Sequence, residues 1–117
     1  MSERLLPRER IRKKKDFLIL YRKGNRYRAK YFSLIYLSNT LAYSRVGVVA
    51  SRKVGNAVTR NKAKRWMREL YRRNKDLLTY PIDLIMVATA EMKAAAWAEL
   101  SDHYRRAVRA IFGRKRG

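Results

Sequence analysis

The chain has 117 residues and a formal net charge of +21, with 30 Lys and Arg against nine Asp and Glu. That length suits one domain over residues 1–117, and so large an excess of cation points to a polyanionic partner, nucleic acid before an anionic membrane. The absence of cysteine excludes disulfides and thiolate metal sites and is compatible with a reducing cytosol.

Residues 1–12 are densely charged and carry Pro7, so they are expected to be mobile until RNA is bound. The start of the chain lacks the apolar core of a signal peptide, and Glu3, Glu9 and Asp16 set it apart from acid-poor transit peptides. No apolar run approaches the roughly 18 residues of a spanning helix. Cytoplasmic residence without membrane attachment is therefore expected. A short helix is predicted from about Lys14 to Lys23, with Phe17, Leu18 and Tyr21 on one face and Gly24 suited to its C′ position.

Residues 31–38, YFSLIYLS, read as a strand of aromatic and β-branched types. Phe32, Leu34 and Tyr36 point one way, and Tyr31, Ser33 and Ile35 the other, where Ser33 suggests a face that is not fully dry. Asn39 and Thr40 mark a turn, and residues 44–52, SRVGVVASR, read as the next strand and its hairpin partner.

A loop with Gly55 and Asn56 leads into a basic helix, with Asn56 or Thr59 as its N-cap. Ala63, Trp66, Met67, Leu70 and Tyr71 recur at i, i+3, i+4, i+7 and i+8, the apolar stripe of an amphipathic helix. At about 100° per residue, Arg60, Asn61, Lys64, Arg65, Arg68 and Arg72 gather on another arc. Glu69 is the one acid between Lys53 and Lys75, and the i, i+4 Glu–Lys pairs of an ordinary solvated face are missing. The pattern gives one face for a core and one for phosphates.

Tyr80-Pro81 restarts the chain as an extended segment. Residues 82–88, IDLIMVA, form a nearly continuous apolar run, as expected of a strand covered on both faces. Thr89 is the expected cap of a final helix, with Glu91 in its first turn and Trp97, Leu100, Tyr104, Ala107, Val108 and Ile111 facing inward. The tail 113–117 is expected to fray. The element order predicts an α+β fold, a two-layer α–β sandwich whose small, mostly antiparallel sheet carries three helices and a βαβ crossover. The default crossover is right-handed.

Protein-centred catalysis finds little support. The nine acids are scattered, whereas a metal-dependent nuclease needs several converging carboxylates. Glu99 and Asp102 share a helix face at close spacing, but a solvated helix surface accounts for them. Asp83 opens a buried-looking strand, where a cation or backbone donor is a better partner than a metal. His103 is the single histidine. No Walker loop, GxGxxG or nucleophile elbow is present. Trp66, Tyr71, Trp97 and Tyr104 read as core, while Phe17 and Tyr21, one turn apart among cations, are either a stacking platform for unpaired bases or fasteners of the first helix.

The segment KVGNAVTRNKAKRWMRE closely resembles the signature of the protein component of bacterial ribonuclease P. The match lies in Lys53-Val54-Gly55-Asn56-Ala57-Val58, Arg60-Asn61, Lys64-Arg65 and Arg68. The flanks KKDFLILYRKGN and SRVGVVASRK resemble the family's first helix and the strand before its motif.

The resemblance implies a partner to a large catalytic RNA, in a complex that removes the 5′ leader from precursor tRNA. The RNA would hold the catalytic magnesium ions, with no cofactor on the protein and no DNA as partner. It implies that Lys53, Arg60, Asn61, Lys62, Lys64, Arg65 and Arg68 face RNA, with Arg72 added from the helical arc. It also implies that Phe17, Tyr21, Ser33 and Ile35 line a cleft for the leader, and that the crossover is left-handed. Family members often present an aromatic near Ile35, and this chain does not. Lys62 is Arg in some relatives, which keeps the charge but loses the bidentate fork. A basic ribosomal or structural RNA-binding protein and a helical DNA-binding regulator are the alternatives. The ordered motif disfavours the first, and the β-rich segments disfavour the second.

Overall fold

The structure, a computed structural model, describes residues 5–113. Its elements in chain order are α1 (Lys14–Lys23), β1 (Asn25–Arg28), β2 (Phe32–Ser38), β3 (Arg45–Val49), α2 (Ala57–Arg73), β4 (Ile82–Ala88) and α3 (Trp97–Phe112), with short 3-10 turns at Pro7–Glu9, Lys75–Leu77 and Ala90–Ala94. The strands form one mixed sheet in the order β1-β2-β4-β3. The α+β expectation holds, and the strand β1 is an addition to it.

The sequence reading made β3 the hairpin partner of β2. Instead β4 lies between them, antiparallel to β2 and parallel to β3. The reason is burial. Ile82, Leu84, Met86 and Ala88 enter one core and Ile85 enters another, so this strand needs neighbours and helices on both sides. The 39–44 loop carries the chain past the end of β4. There the Asp83 carboxylate accepts from Arg45 Nε and Nη2 at 2.9 and 2.6 Å and from Asn39 Nδ2 at 2.9 Å. Asp83 thus takes the cation partner expected of it.

Helices α2 and α3 pack on the face of Phe32, Leu34, Leu84 and Met86. Helix α1 crosses the opposite face, over Ile35 and Ile85, and adds a third, partial layer to the predicted two. Gly24 ends α1, but with φ −73° it is not left-handed. Its role is clearance, because a Cβ there would lie 2.6 Å from the Leu20 carbonyl oxygen and 2.9 Å from Ile35 Cγ2.

Two further expectations change at the chain's ends. Residues 5–12 were expected to be mobile, yet Ile11 is buried with Leu20 and Ile85, and its N–H donates to the Val46 carbonyl at 2.8 Å along the outer edge of β3. Glu9 is buried too; its carboxylate accepts from the Leu6 N–H at 2.7 Å and from Lys75 Nζ at 2.8 Å. One apolar residue and one paired acid suffice to seat this charged segment. Residues 1–4 and 114–117 lie outside the described residues. At the other end, Thr89 precedes and Glu91 lies within a 3-10 turn, and α3 begins at Trp97, where Glu99 accepts from the Ala96 N–H at 3.1 Å.

Candidate RNA interface

Sheet register defines a cleft on the α1 side. Ile35, Ile85 and Gly47 stand in one row across β2, β4 and β3, buried under α1. The next row is Ser33, Val87 and Val49, half-buried, and Arg28 of β1 extends it. This second row is the open floor beside the helix. Ser33 therefore stands on a face that is not fully dry, as the strand pattern predicts. Ile35 shares that face but is closed off, since it is 1% exposed and packs under Leu20 and Gly24. Strand alternation gave its face correctly but could not show that α1 covers it.

Phe17 and Tyr21 border α1 and are reached differently. The Phe17 ring lies on Gly47, where an added Cβ would come within 2.7 Å of Phe17 Cζ. Tyr21 is exposed beside Arg26, whose Nη2 donates to the Tyr21 carbonyl at 2.9 Å. Arg10, Arg12 and Arg68 join Phe17 around a groove of about 100 Å³, and among the described residues no acid lines it. Burial lowers the Arg68 pKa, and the charges of Arg10 and Arg12 lower it further. Guanidiniums grouped around an aromatic ring have the chemistry to take a phosphate and an unpaired base together.

Asn56 begins α2, its Oδ1 accepting from the Thr59 N–H at 2.9 Å, which settles the choice of cap. Ala63, Met67, Leu70 and Tyr71 are buried as the periodicity requires. The predicted RNA-facing residues divide around the helix. Arg60, Lys64 and Arg68, spaced i, i+4 and i+8, form the half-buried edge that ends at the groove. Asn61 and Arg65 are exposed on the outer arc, and Lys53 is exposed in the turn after β3. Lys62 lies on the opposite edge, its Nζ 4.6 Å from the centre of the Trp66 ring. Arg72 is engaged by Glu69, with its Nη2 2.7 Å from the carboxylate, and Arg73 Nε reaches the same group at 3.0 Å. The single acid thus laces this stretch after all, and these arginines hold the Glu69 pKa below the usual carboxylate range, Arg72 most of all.

Sequence reasoning missed Arg10, Arg12 and Arg28. The lone Ile11 within the N-terminal cationic run was the available signal for the first two. Arg28 sits on a four-residue strand, NRYR, in which Tyr27 is the one residue of high β propensity, too little to mark a strand. Three further acids have structural partners: Glu99 also accepts from the Tyr31 hydroxyl at 3.0 Å, Asp102 pairs with Arg106, and Asp16 lies 3.6 Å from Arg45 Nη1. His103 packs edge-on against Tyr31. Among the described residues, no three acidic or histidine side chains converge as a metal site would require, and no helix is long and apolar enough to cross a membrane.

Comparison with known proteins agrees with this geometry. The family model described as Ribonuclease P matches residues 5–112. The ribonuclease P protein component of Thermotoga maritima is 41% identical over 87 residues, covering 74% of each chain. That of Syntrophus aciditrophicus is 36% identical over 92 residues, covering 79% of this chain and 77% of its own. Among solved structures, the Staphylococcus aureus RNase P protein superposes with a TM-score of 0.81 at 29% identity, covering 88% of this chain and 94% of that one. The Thermotoga maritima RNase P protein gives 0.75 at 31% identity, covering 93% and 99%. With the motif helix, the sheet and nearly the whole described chain matched, this chain belongs to the ribonuclease P protein family.

Proposed function

We propose that this protein docks a ribonuclease P RNA on the outer arc and cleft-side edge of α2 and receives the 5′ leader of precursor tRNA in the cleft beside α1, in the cytoplasm. Lys53, Arg60, Asn61, Lys64, Arg65 and Arg68 supply the phosphate and base-edge donors, with Lys62 reaching RNA from the other edge of the helix. Arg72 contributes through the network it shares with Glu69. Phe17 stacks a leader base, Tyr21 borders the same strand, and Ser33 with Val87 and Val49 forms the floor. Ile35 supports that floor from beneath α1. The partner RNA holds the magnesium ions and performs the hydrolysis, while the protein binds and orients.

The observation that carries this reading is the meeting of Arg68, from the motif helix, with Phe17, Arg10 and Arg12 in one groove. A single strand passing there meets a stacking ring and phosphate donors together. The test compares affinity of the assembled ribonucleoprotein for precursor tRNA and for mature tRNA. The precursor should bind more tightly, and Phe17→Ala should weaken precursor binding by about 1–3 kcal/mol while sparing mature tRNA. Equal losses for both substrates would refute the leader assignment.

A further inference from the structure

The outer groove between α2 and α3 lies across the sheet from the cleft and contains both tryptophans of the chain. Trp66 and Trp97 meet edge to face, ring centres 5.6 Å apart at 81°. Each half-buried indole carries a cation. Lys62 Nζ stands 4.6 Å from the Trp66 ring centre, and the Arg73 guanidinium carbon 5.3 Å from that of Trp97. Trp66, Trp97, Arg73 and Glu69 border an open groove of about 240 Å³, and Lys62 stands on the far side of Trp66. Lys93 extends the surface past Trp66, and Arg109 extends it past Trp97. The acids beside it are already engaged, Glu69 by Arg72 and Arg73 and Asp102 by Arg106.

A tryptophan pair alone would fasten α3 to α2. It would not require a cation on each ring or further basic residues at both ends of the groove. A cation over an indole marks a π face turned to solvent. A nucleobase can take that place while the cation swings to the adjoining phosphate, so one contact becomes two. We infer that this groove is a second RNA site, taking an unpaired nucleotide against Trp66 and Trp97 with its phosphates on Lys62, Lys93 and Arg109. The inference rests on the RNA-binding reading above and concerns a strand other than the leader, because the two sites occupy opposite faces of the sheet.

Since both tryptophans lie here, selectively excited indole emission reports on this groove. The full chain is titrated with a dye-labelled oligoadenylate of about ten nucleotides, the length a single-strand groove spans. Dye anisotropy follows total binding, and indole emission follows the groove. Saturable indole quenching is expected, retained in Phe17→Ala and shifted to about tenfold higher oligonucleotide concentration in a Lys93→Ala/Arg109→Ala double variant. Anisotropy that saturates while the indoles stay unchanged overturns the second site and leaves the cleft reading standing. An emission change driven by protein concentration alone overturns it in favour of a second copy of the chain. Absence of both signals removes the second site and the RNA-binding reading together.

Discussion

Arg68 is held half-buried beside Arg10 and Arg12, an arrangement that repels itself until an anion arrives. Replacing it should therefore have opposite effects on the free and bound protein. Arg68→Ala is expected to leave the melting temperature unchanged or raised, and to weaken RNA affinity by about 1–3 kcal/mol. An affinity loss no greater than that of Lys14→Ala, measured in the same titration, would contradict the role given to Arg68. Glu69 makes a pH prediction. Its pKa is lowered from the ordinary 4.5, first by Arg72 and then by Arg73. The stability it contributes is fully present above pH 4.5 and is lost as pH falls through the lower folded value. Glu69→Gln should flatten that part of the acid-unfolding profile, and an unaltered profile would show the network to be energetically silent. At this scale the sequence disclosed residue types and helical arcs well. It could not disclose Ile35, since alternation assigns a face and only packing shows what lies on top of it.

The elements owe their positions to a few close approaches. Helix α1 can lie on β2 because Gly24 has no side chain to strike the Leu20 carbonyl and Ile35. Gly24→Ala should cost about 1–3 kcal/mol of unfolding free energy, measured by denaturant titration. A change within a few tenths would mean that α1 shifts freely, and the cleft would then lack a fixed wall. The helices were legible because their apolar stripes are long: α1 matches its predicted bounds, and the inner face of α3 is as read, although its start moves to Trp97. Strand pairing was not legible. The alternation in RVGVV fits any neighbour, and only the two-sided burial of Ile82–Ala88 places β4 in the middle. Trp66 and Trp97 show a similar limit. They fall on the apolar arcs as predicted, but at the margin, where a ring is half core and half surface.

Across the whole molecule, cations stand beside aromatic rings at two places. A groove at the outer edge of β3, beside α1, sets cations beside Phe17, and the α2–α3 face holds the tryptophan groove. Composition alone pointed to a polyanionic partner, and the motif pointed to the family. The meeting of Arg10, Arg12 and Arg68 beside Phe17 required the tertiary fold, because these residues come from three separated segments. The most direct test of the account is multiple-turnover cleavage of precursor tRNA by a bacterial ribonuclease P RNA at low magnesium, with and without this protein. The account predicts strong stimulation of cleavage at the mature 5′ end, greatly reduced by a Phe17→Ala/Arg68→Ala double variant. Unchanged cleavage in the presence of RNA-bound protein would contradict it.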